Sequence, residues 1–207
     1  MGKRTKVAAI AMLLAGAAAM ALWLWDPVRP GLMAAQPDDL VLGDPNAPVR
    51  IVAYVAPSCL ACGAFHREVV PRLKAEWLDP RRAVLVYRNA PSSDTDLVVS
   101  KFLRCIAPSS RPDQSLAWLE VAFQTQATWL AASDPVQGLQ RAGRELGRSN
   151  FDRLCLDHPV VEENVMRARD AAADAGVRTM PAIFVQGRKV SPADLDRTLA
   201  KVASAQR

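Results

Sequence analysis

The pattern of hydrophobic positions predicts alternating strands and helices at the start of the chain. Val49 to Val55 is nearly continuous in apolar character, as is typical of a central strand covered on both faces. Apolar residues then recur every fourth position and predict a helix packed on that strand: Phe65, Val69, Leu73 and Trp77. Pro71 should kink this helix rather than end it. Ala83 to Tyr87 predicts a second strand, parallel to the first, whereas Leu42 to Pro48 is expected to be turn.

Only helical patterns are evident between Asn89 and Val177. This segment is far longer than the roughly dozen residues that a parallel crossover requires, so we predict an inserted helical domain. Its aromatic residues, Trp118 and Trp129 among them, are interpreted as core. The predicted helices are Leu97 to Ile106, Leu116 to Leu130, Val136 to Leu146, Phe151 to Leu156 and Val160 to Ala175.

The end of the chain predicts a hairpin and a final helix. Ala182 to Val185 and Lys189-Val190 are short strand patterns on either side of a glycine-containing turn. Ser191 is expected to cap the last helix, with Pro192 at its first position. We therefore expect an α/β domain formed by residues 39–91 and 177–207, with residues 92–176 as the all-helical insertion.

The N-terminus carries a basic opening followed by an uncharged segment, residues 7–25. Residues 1–25 are interpreted either as an uncleaved membrane anchor helix or as a cleaved signal peptide, and both alternatives stay open. Residues 26–38, rich in proline, are expected to be a linker. In both cases the domain after it is expected outside the cytoplasm, in the periplasm or an equivalent oxidising compartment.

The net charge of +5 adds little to this description. Three of those charges belong to Lys3, Arg4 and Lys6, ahead of any predicted folded segment. The remainder is nearly balanced, and no basic stripe interleaved with aromatic residues is present. We therefore expect no nucleic acid partner.

Cys59 and Cys62 stand in a C-x-x-C arrangement between the first predicted strand and its helix. A helix N-terminus offers free backbone N–H groups and a partial positive charge, and both stabilise a thiolate on Cys59. This placement predicts a redox dithiol. A structural zinc site is the weaker alternative, since it needs about four ligands and no second C-x-x-C is present. His66 and His158 are the only histidines, and His66 is interpreted as a surface or capping residue.

Cys105 and Cys155 fall in helical patterns of the insertion and should point inward. In an oxidising compartment a structural disulfide between them is the favoured expectation. Two buried free thiols or a second redox pair remain as alternatives.

Three segments, in this order, resemble the DsbA-like thiol:disulfide oxidoreductases of the thioredoxin superfamily. They are Gly43 to Val49, Cys59 to Cys62 with Phe65-His66 after it, and Gly176 to Val185. The resemblance implies a thioredoxin-like fold in which Cys59 is the nucleophile and Cys62 the buried resolving thiol. It also implies that Pro181 is cis and lies across from the dithiol, with Met180 hydrogen-bonding an extended substrate.

The function implied by the resemblance is disulfide exchange in reduced or unfolded exported proteins, without a metal or cofactor. A quinone-linked membrane protein would reoxidise the dithiol, and residues 7–25 would associate with the membrane if uncleaved. A reductase or isomerase of the same fold is one alternative. A non-enzymatic metal-handling or assembly chaperone that uses the cysteines as soft ligands is another.

Two positions depart from the family pattern. Strongly oxidising members usually carry Pro-His between the cysteines, where this chain has Leu60-Ala61. Less stabilisation of the thiolate predicts a weaker oxidant. The family also often has a buried acid six residues before the first cysteine, and here that residue is Ala53.

Overall fold

The structure is a computed structural model that describes residues 30–36, 38–106, 112–145 and 153–205. The predicted signal or anchor segment, residues 1–25, and the first part of the linker lie outside the described residues. None of the helices in the described ranges combines the length and the apolar character that crossing a bilayer requires.

The elements alternate as the hydrophobic pattern predicts. A 3₁₀ turn, Pro30–Met33, precedes strands β1, Leu40–Gly43, and β2, Val49–Val55. Helix α1 covers Leu60 to Leu78 and is followed by β3, Ala83–Asn89. The next helices are α2, Asp94–Ile106; α3, Pro112–Gln124; α4, Gln126–Leu130; α5, Pro135–Glu145; a 3₁₀ turn, Arg153–Asp157; and α6, Pro159–Asp174. Strands β4, Ala182–Val185, and β5, Arg188–Val190, a 3₁₀ turn, Pro192–Asp194, and helix α7, Leu195–Ala205, complete the described chain.

The five strands form one mixed sheet in the order β1, β3, β2, β4, β5. β2 and β3 are parallel, as predicted, and Ala53 is the register partner of Tyr87. β4 pairs antiparallel with β2, and β5 pairs antiparallel with β4. Gln186 and Gly187 join β4 to β5 with positive φ angles of 48° and 82°, the turn geometry that matches the twist of a hairpin.

Strand β1 corrects the expectation that the turn begins at Leu42. Leu40–Gly43 pairs antiparallel with β3 at the edge of the sheet. A four-residue edge strand leaves a weak pattern because it has one neighbour and is only partly buried. The turn starts after it, at Asp44.

The alternation of side chains along β2 gives the sheet two apolar faces. Val49, Ile51, Ala53 and Val55 pack with α1, α3 and α7 on one face. Val52 and Tyr54 pack on the other face with Ala172 of α6. Leu32 and Met33 of the first 3₁₀ turn also pack there. The prediction of a central strand covered on both faces is confirmed.

Helix α1 alternates between α and π turns. Its segments are α from Leu60–Ala64, π from Phe65–Val69, α from Val70–Leu73 and π from Lys74–Leu78. Pro71 lies two residues after the end of the first π turn, at the start of the next α segment, where a missing N–H is accommodated beside a widened hydrogen-bond pattern. The chain therefore continues past Pro71 as helix, in agreement with the prediction.

A separate apolar cluster holds the helices between β3 and β4 together. Trp118 is 7% exposed and Trp129 is fully buried in this cluster, which confirms that both are core residues. Leu119 and Phe123, on another face of α3, belong instead to the core beneath the sheet. Helix α3 therefore connects the helical cluster to the face of the sheet that carries α1.

Candidate active site

Cys59 lies at the N-cap of helix α1, and Cys62 lies one turn into the helix. The two are joined by a disulfide bond. The backbone N–H of Cys62 points at Cys59 Sγ, with nitrogen and sulfur 3.1 Å apart. Cys62 is fully buried, Cys59 is partly exposed, and the intervening Leu60 is 66% exposed. This arrangement leaves Cys59 as the reachable sulfur of the pair.

The segment before β4 brings Met180 and Pro181 to the dithiol. The Met180–Pro181 peptide bond is cis, as the resemblance implies. The carbonyl oxygen of Met180 is 3.6 Å from Cys59 Sγ. The structure thus places four residues singled out from sequence, Cys59, Cys62, Met180 and Pro181, at one site.

Two polar side chains from the helical cluster hold the loop that leads into α1. Gln126 of α4 donates its amide to the carbonyl oxygens of Pro57, at 2.8 Å, and of Cys59, at 3.0 Å. Asp96 of α2 accepts the backbone N–H of Ser58 at 2.8 Å. Sequence reasoning missed both residues, because they lie 67 and 38 positions from their partners and no local pattern signals the contact.

His66 is buried, which corrects its interpretation as a surface or capping residue. It is 7% exposed, and its Nδ1 is 2.9 Å from the hydroxyl of Tyr87. Its ring also packs against Phe123, with centroids 5.3 Å apart. Burial lowers the pKa of His66, and the positive charge of Arg67 lowers it further. Burial likewise raises the pKa of Tyr87. A polar residue on the inner face of an otherwise apolar helix is the sequence signal that was available.

Ala53 is fully buried on β2 and brings no ionisable group to this core. Its register partners are Ile183 on β4 and Tyr87 on β3, and the Tyr87 hydroxyl bonds His66. The polar groups buried in this region are therefore the neutral hydroxyl of Tyr87 and the imidazole of His66, and β2 contributes no carboxylate.

Cys105 and Cys155 are bonded to each other and lie away from the dithiol. The bond joins the last turn of α2 to the 3₁₀ turn Arg153–Asp157. Cys105 packs on the apolar cluster of the helical segment, whereas Cys59 packs on the core beneath the sheet.

The fold and the site together define a class. It is that of thioredoxin-fold proteins in which a C-x-x-C at a helix start faces a cis-proline and helices are inserted between two strands. A family model described as thioredoxin matches residues 35–202, and the chain belongs to that family.

Known proteins similar to this chain are named for disulfide chemistry. A putative protein-disulfide oxidoreductase of Rickettsia typhi is 24% identical over 162 residues, which cover 77% of this chain and 58% of the relative. The chain thus spans little more than half the length of that relative. A probable disulfide bond formation protein D of Bacillus anthracis is 24% identical over 73% of this chain and 71% of its own length.

Solved structures show the same fold. Wolbachia pipientis alpha-DsbA1 superposes with a TM-score of 0.68 at 18% identity, covering 85% of this chain and 96% of that one. A protein-disulfide isomerase from Novosphingobium aromaticivorans gives a TM-score of 0.64 at 20% identity, covering 80% and 97%. The resemblance to DsbA-like proteins stated from the sequence is confirmed.

Proposed function

We propose that this protein is a thiol:disulfide oxidoreductase that works through Cys59 and Cys62. A substrate thiolate attacks Cys59 Sγ, a mixed disulfide forms, and the Cys62 thiolate leaves. A second substrate thiolate then attacks the substrate sulfur of the mixed disulfide and releases Cys59. The substrate gains a disulfide, and the enzyme keeps two electrons and is left as the dithiol.

The observation that carries this proposal is the position of Cys59 Sγ. It lies at a helix N-terminus within 3.1 Å of the Cys62 backbone nitrogen, on the exposed side of a buried partner. A donor aimed at the sulfur and the helix dipole both favour the thiolate, which is the leaving group when Cys59 is released from a mixed disulfide. The same geometry supports the roles of Cys59 as nucleophile and Cys62 as resolving thiol.

Substrate binding is proposed at the segment around Met180 and Pro181. The Met180 carbonyl lies beside the reacting sulfur, so an extended peptide placed there would bring its own cysteine to Cys59. Leu60 exposes an apolar side chain next to the dithiol. Unfolded chains present apolar segments without a fixed shape, and an exposed apolar surface suits them.

The cellular setting is part of the proposal. Residues 1–25 are proposed to export the domain as a signal peptide or anchor helix, so that its substrates are reduced exported proteins. Turnover then needs an electron acceptor, for which we propose a quinone-linked membrane protein. Cys105–Cys155 is proposed as a structural disulfide of the helical insertion, residues 92–176, within a thioredoxin-like domain of residues 39–91 and 177–207.

The direction of exchange separates this proposal from its main alternative. Leu60-Ala61 supplies no imidazole to the thiolate, so we expect a weaker oxidant than the family members with Pro-His between the cysteines. A reductase or isomerase of the same fold is therefore the second candidate. Oxidation is preferred because the relatives from Bacillus are named for disulfide bond formation. A metal-handling or assembly chaperone that uses the same two cysteines as soft ligands is the third candidate, and a metal-binding assay separates it from exchange.

The test is a titration of the domain against glutathione, combined with an oxidation assay. Wild type should catalyse disulfide formation in a reduced test protein, Cys59→Ser should abolish the catalysis, and Cys105→Ser should retain it. A potential near that of cytosolic thioredoxins would favour the reductase. Stoichiometric copper or zinc that protects both active-site thiols from alkylation, without catalysis, would contradict the proposal.

A further inference from the structure

Asp96 is a buried carboxylate that the exchange mechanism does not use. It is 1% exposed and lies in the first turn of α2. Oδ2 accepts hydrogen bonds from the backbone N–H of Ser92, at 3.1 Å, and from the hydroxyls of Ser92 and Ser93, at 3.0 and 3.1 Å. The Asp96 N–H donates to Ser93 Oγ in return. These four bonds cap the helix, three of them through Oδ2, and none of them uses Oδ1.

The second oxygen serves another part of the chain. Oδ1 accepts the backbone N–H of Ser58 at 2.8 Å, across 38 residues of sequence. Ser58 immediately precedes the nucleophilic Cys59. A cap does not require this contact, which ties the carboxylate to the residue before Cys59.

The charge of Asp96 is compensated by hydrogen bonds only. Asp96 forms no ion pair with any lysine, arginine or histidine of the described ranges. Two ionisable side chains of α1 are bound elsewhere: Arg67 donates to the carbonyl of Phe123, and His66 faces Tyr87. From α4 the loop meets the neutral amide of Gln126, and the segment before β4 contributes a backbone carbonyl. Asp96 is thus the anion that lies against the loop of Cys59.

We infer that Asp96 is a positioning residue that fixes the loop before Cys59 and, through its buried negative charge, makes the Cys59–Cys62 pair less oxidising. A negative charge near a sulfur disfavours the thiolate, and low exposure limits screening by solvent. The relevant balance is reduced enzyme plus oxidised glutathione giving oxidised enzyme plus two reduced glutathione molecules. A less favourable thiolate destabilises the reduced enzyme and shifts this balance toward the disulfide form. The inference rests on the proposed exchange function.

The test compares Asp96→Asn with Asp94→Asn. The asparagine keeps the shape and an oxygen that can accept from Ser58, but it removes the charge and replaces Oδ2 with an amide nitrogen that cannot accept from Ser92 or Ser93. Asp94 is an exposed acid of the same helical turn. For Asp96→Asn we expect Cys59 alkylation to reach its plateau at lower pH. We also expect the glutathione equilibrium constant for the oxidised form to fall about tenfold, which corresponds to about 30 mV. Asp94→Asn should change neither measurement by more than about twofold.

A merely structural role predicts different outcomes. If Asp96 only caps the helix, Asp96→Asn will lower thermal stability and leave both the alkylation profile and the glutathione equilibrium unchanged. If it only orders the loop, the alkylation profile will move to higher pH. Either result overturns the inference.

A second variant keeps the test decisive if Asp96→Asn does not fold. Ser92→Ala removes one hydroxyl donor and leaves the carboxylate less compensated, so the Cys59 alkylation profile should move to higher pH. The Ser58 backbone N–H should keep its protection against hydrogen exchange, because a loosened loop would also move the profile to higher pH. An unchanged profile, a move to lower pH, or a loss of that protection would contradict the inference. Failure of the proposed function is distinguishable, because wild type itself would then show no exchange with glutathione.

Discussion

The bond between Cys105 and Cys155 makes a quantitative prediction about stability. It joins two elements of the helical segment that are 50 residues apart in sequence. In the double variant Cys105→Ala/Cys155→Ala the folded contacts change little, because both side chains are only partly buried. The main effect should therefore be on the unfolded chain, which regains the freedom that the cross-link removes.

The size of the effect follows from the length of the closed loop. The chain-entropy model gives about 4 kcal/mol at 25 °C for a loop of about 50 residues. Residual structure in the unfolded chain reduces this value, so we expect the free energy of unfolding to fall by about 2 to 4 kcal/mol. For a domain of ordinary stability this is a large fraction of the total.

Urea unfolding at neutral pH, followed by far-UV circular dichroism, measures the change. The single variants Cys105→Ala and Cys155→Ala are the controls, because each breaks the same bond and each should lose nearly as much as the double variant. The glutathione equilibrium of Cys59–Cys62 should stay at its wild-type value. A loss below about 1 kcal/mol in the double variant, or single variants that remain as stable as wild type, would refute the reasoning.

Three further changes have defined outcomes. Gly63→Ala places a methyl against the Gln126 amide oxygen, and two hydrogen bonds from the same amide hold that side chain in place. The variant should cost about 1 to 3 kcal/mol of unfolding free energy, whereas Gly31→Ala, with no atom within 4 Å, should cost less than about 0.5 kcal/mol. Burial lowers the pKa of His66 in the folded protein, so as pH falls the unfolded chain protonates His66 at a higher pH than the folded protein does. Unfolding free energy should therefore fall as pH decreases below about 6.5, until the folded-state pKa is passed, and His66→Gln should flatten this slope in urea titrations. Arg88→Met removes the guanidinium that pairs with the Asp39 carboxylate, which is 4% exposed, and leaves that carboxylate the longer ion pair with Arg50, at 3.7 Å. Unfolding free energy should fall by about 2 to 4 kcal/mol by the same assay, and a cost below about 1 kcal/mol would contradict the account.

The order of elements could be predicted because long apolar patterns determine it. The apolar residues of three elements, β2, α1 and the hairpin, are spaced as their buried positions are. These elements were therefore evident from the sequence. Strand β1 was missed because four edge residues followed directly by Asp44-Pro45 carry more turn signal than strand signal.

The dithiol could be predicted because its residue types are distinctive and stand in local order, and the cis state of Pro181 was implied by the resemblance to DsbA-like proteins. The polar residues around them could not. Asp96 and Gln126 reach the active-site loop only after α2 and α4 pack in three dimensions. His66 was misread because its partner, Tyr87, lies on a strand 21 residues away.

The reactivity of Cys59 tests the central claim most directly. In a Cys62→Ala variant Cys59 is a single free thiol at the helix start, while the Cys62 backbone N–H that points at it is retained. Its alkylation rate can then be measured against pH and compared with free cysteine. The account predicts that Cys59 reaches its maximal rate at clearly lower pH than free cysteine, and hence reacts faster at neutral pH. A rate at neutral pH equal to or below that of free cysteine would contradict it.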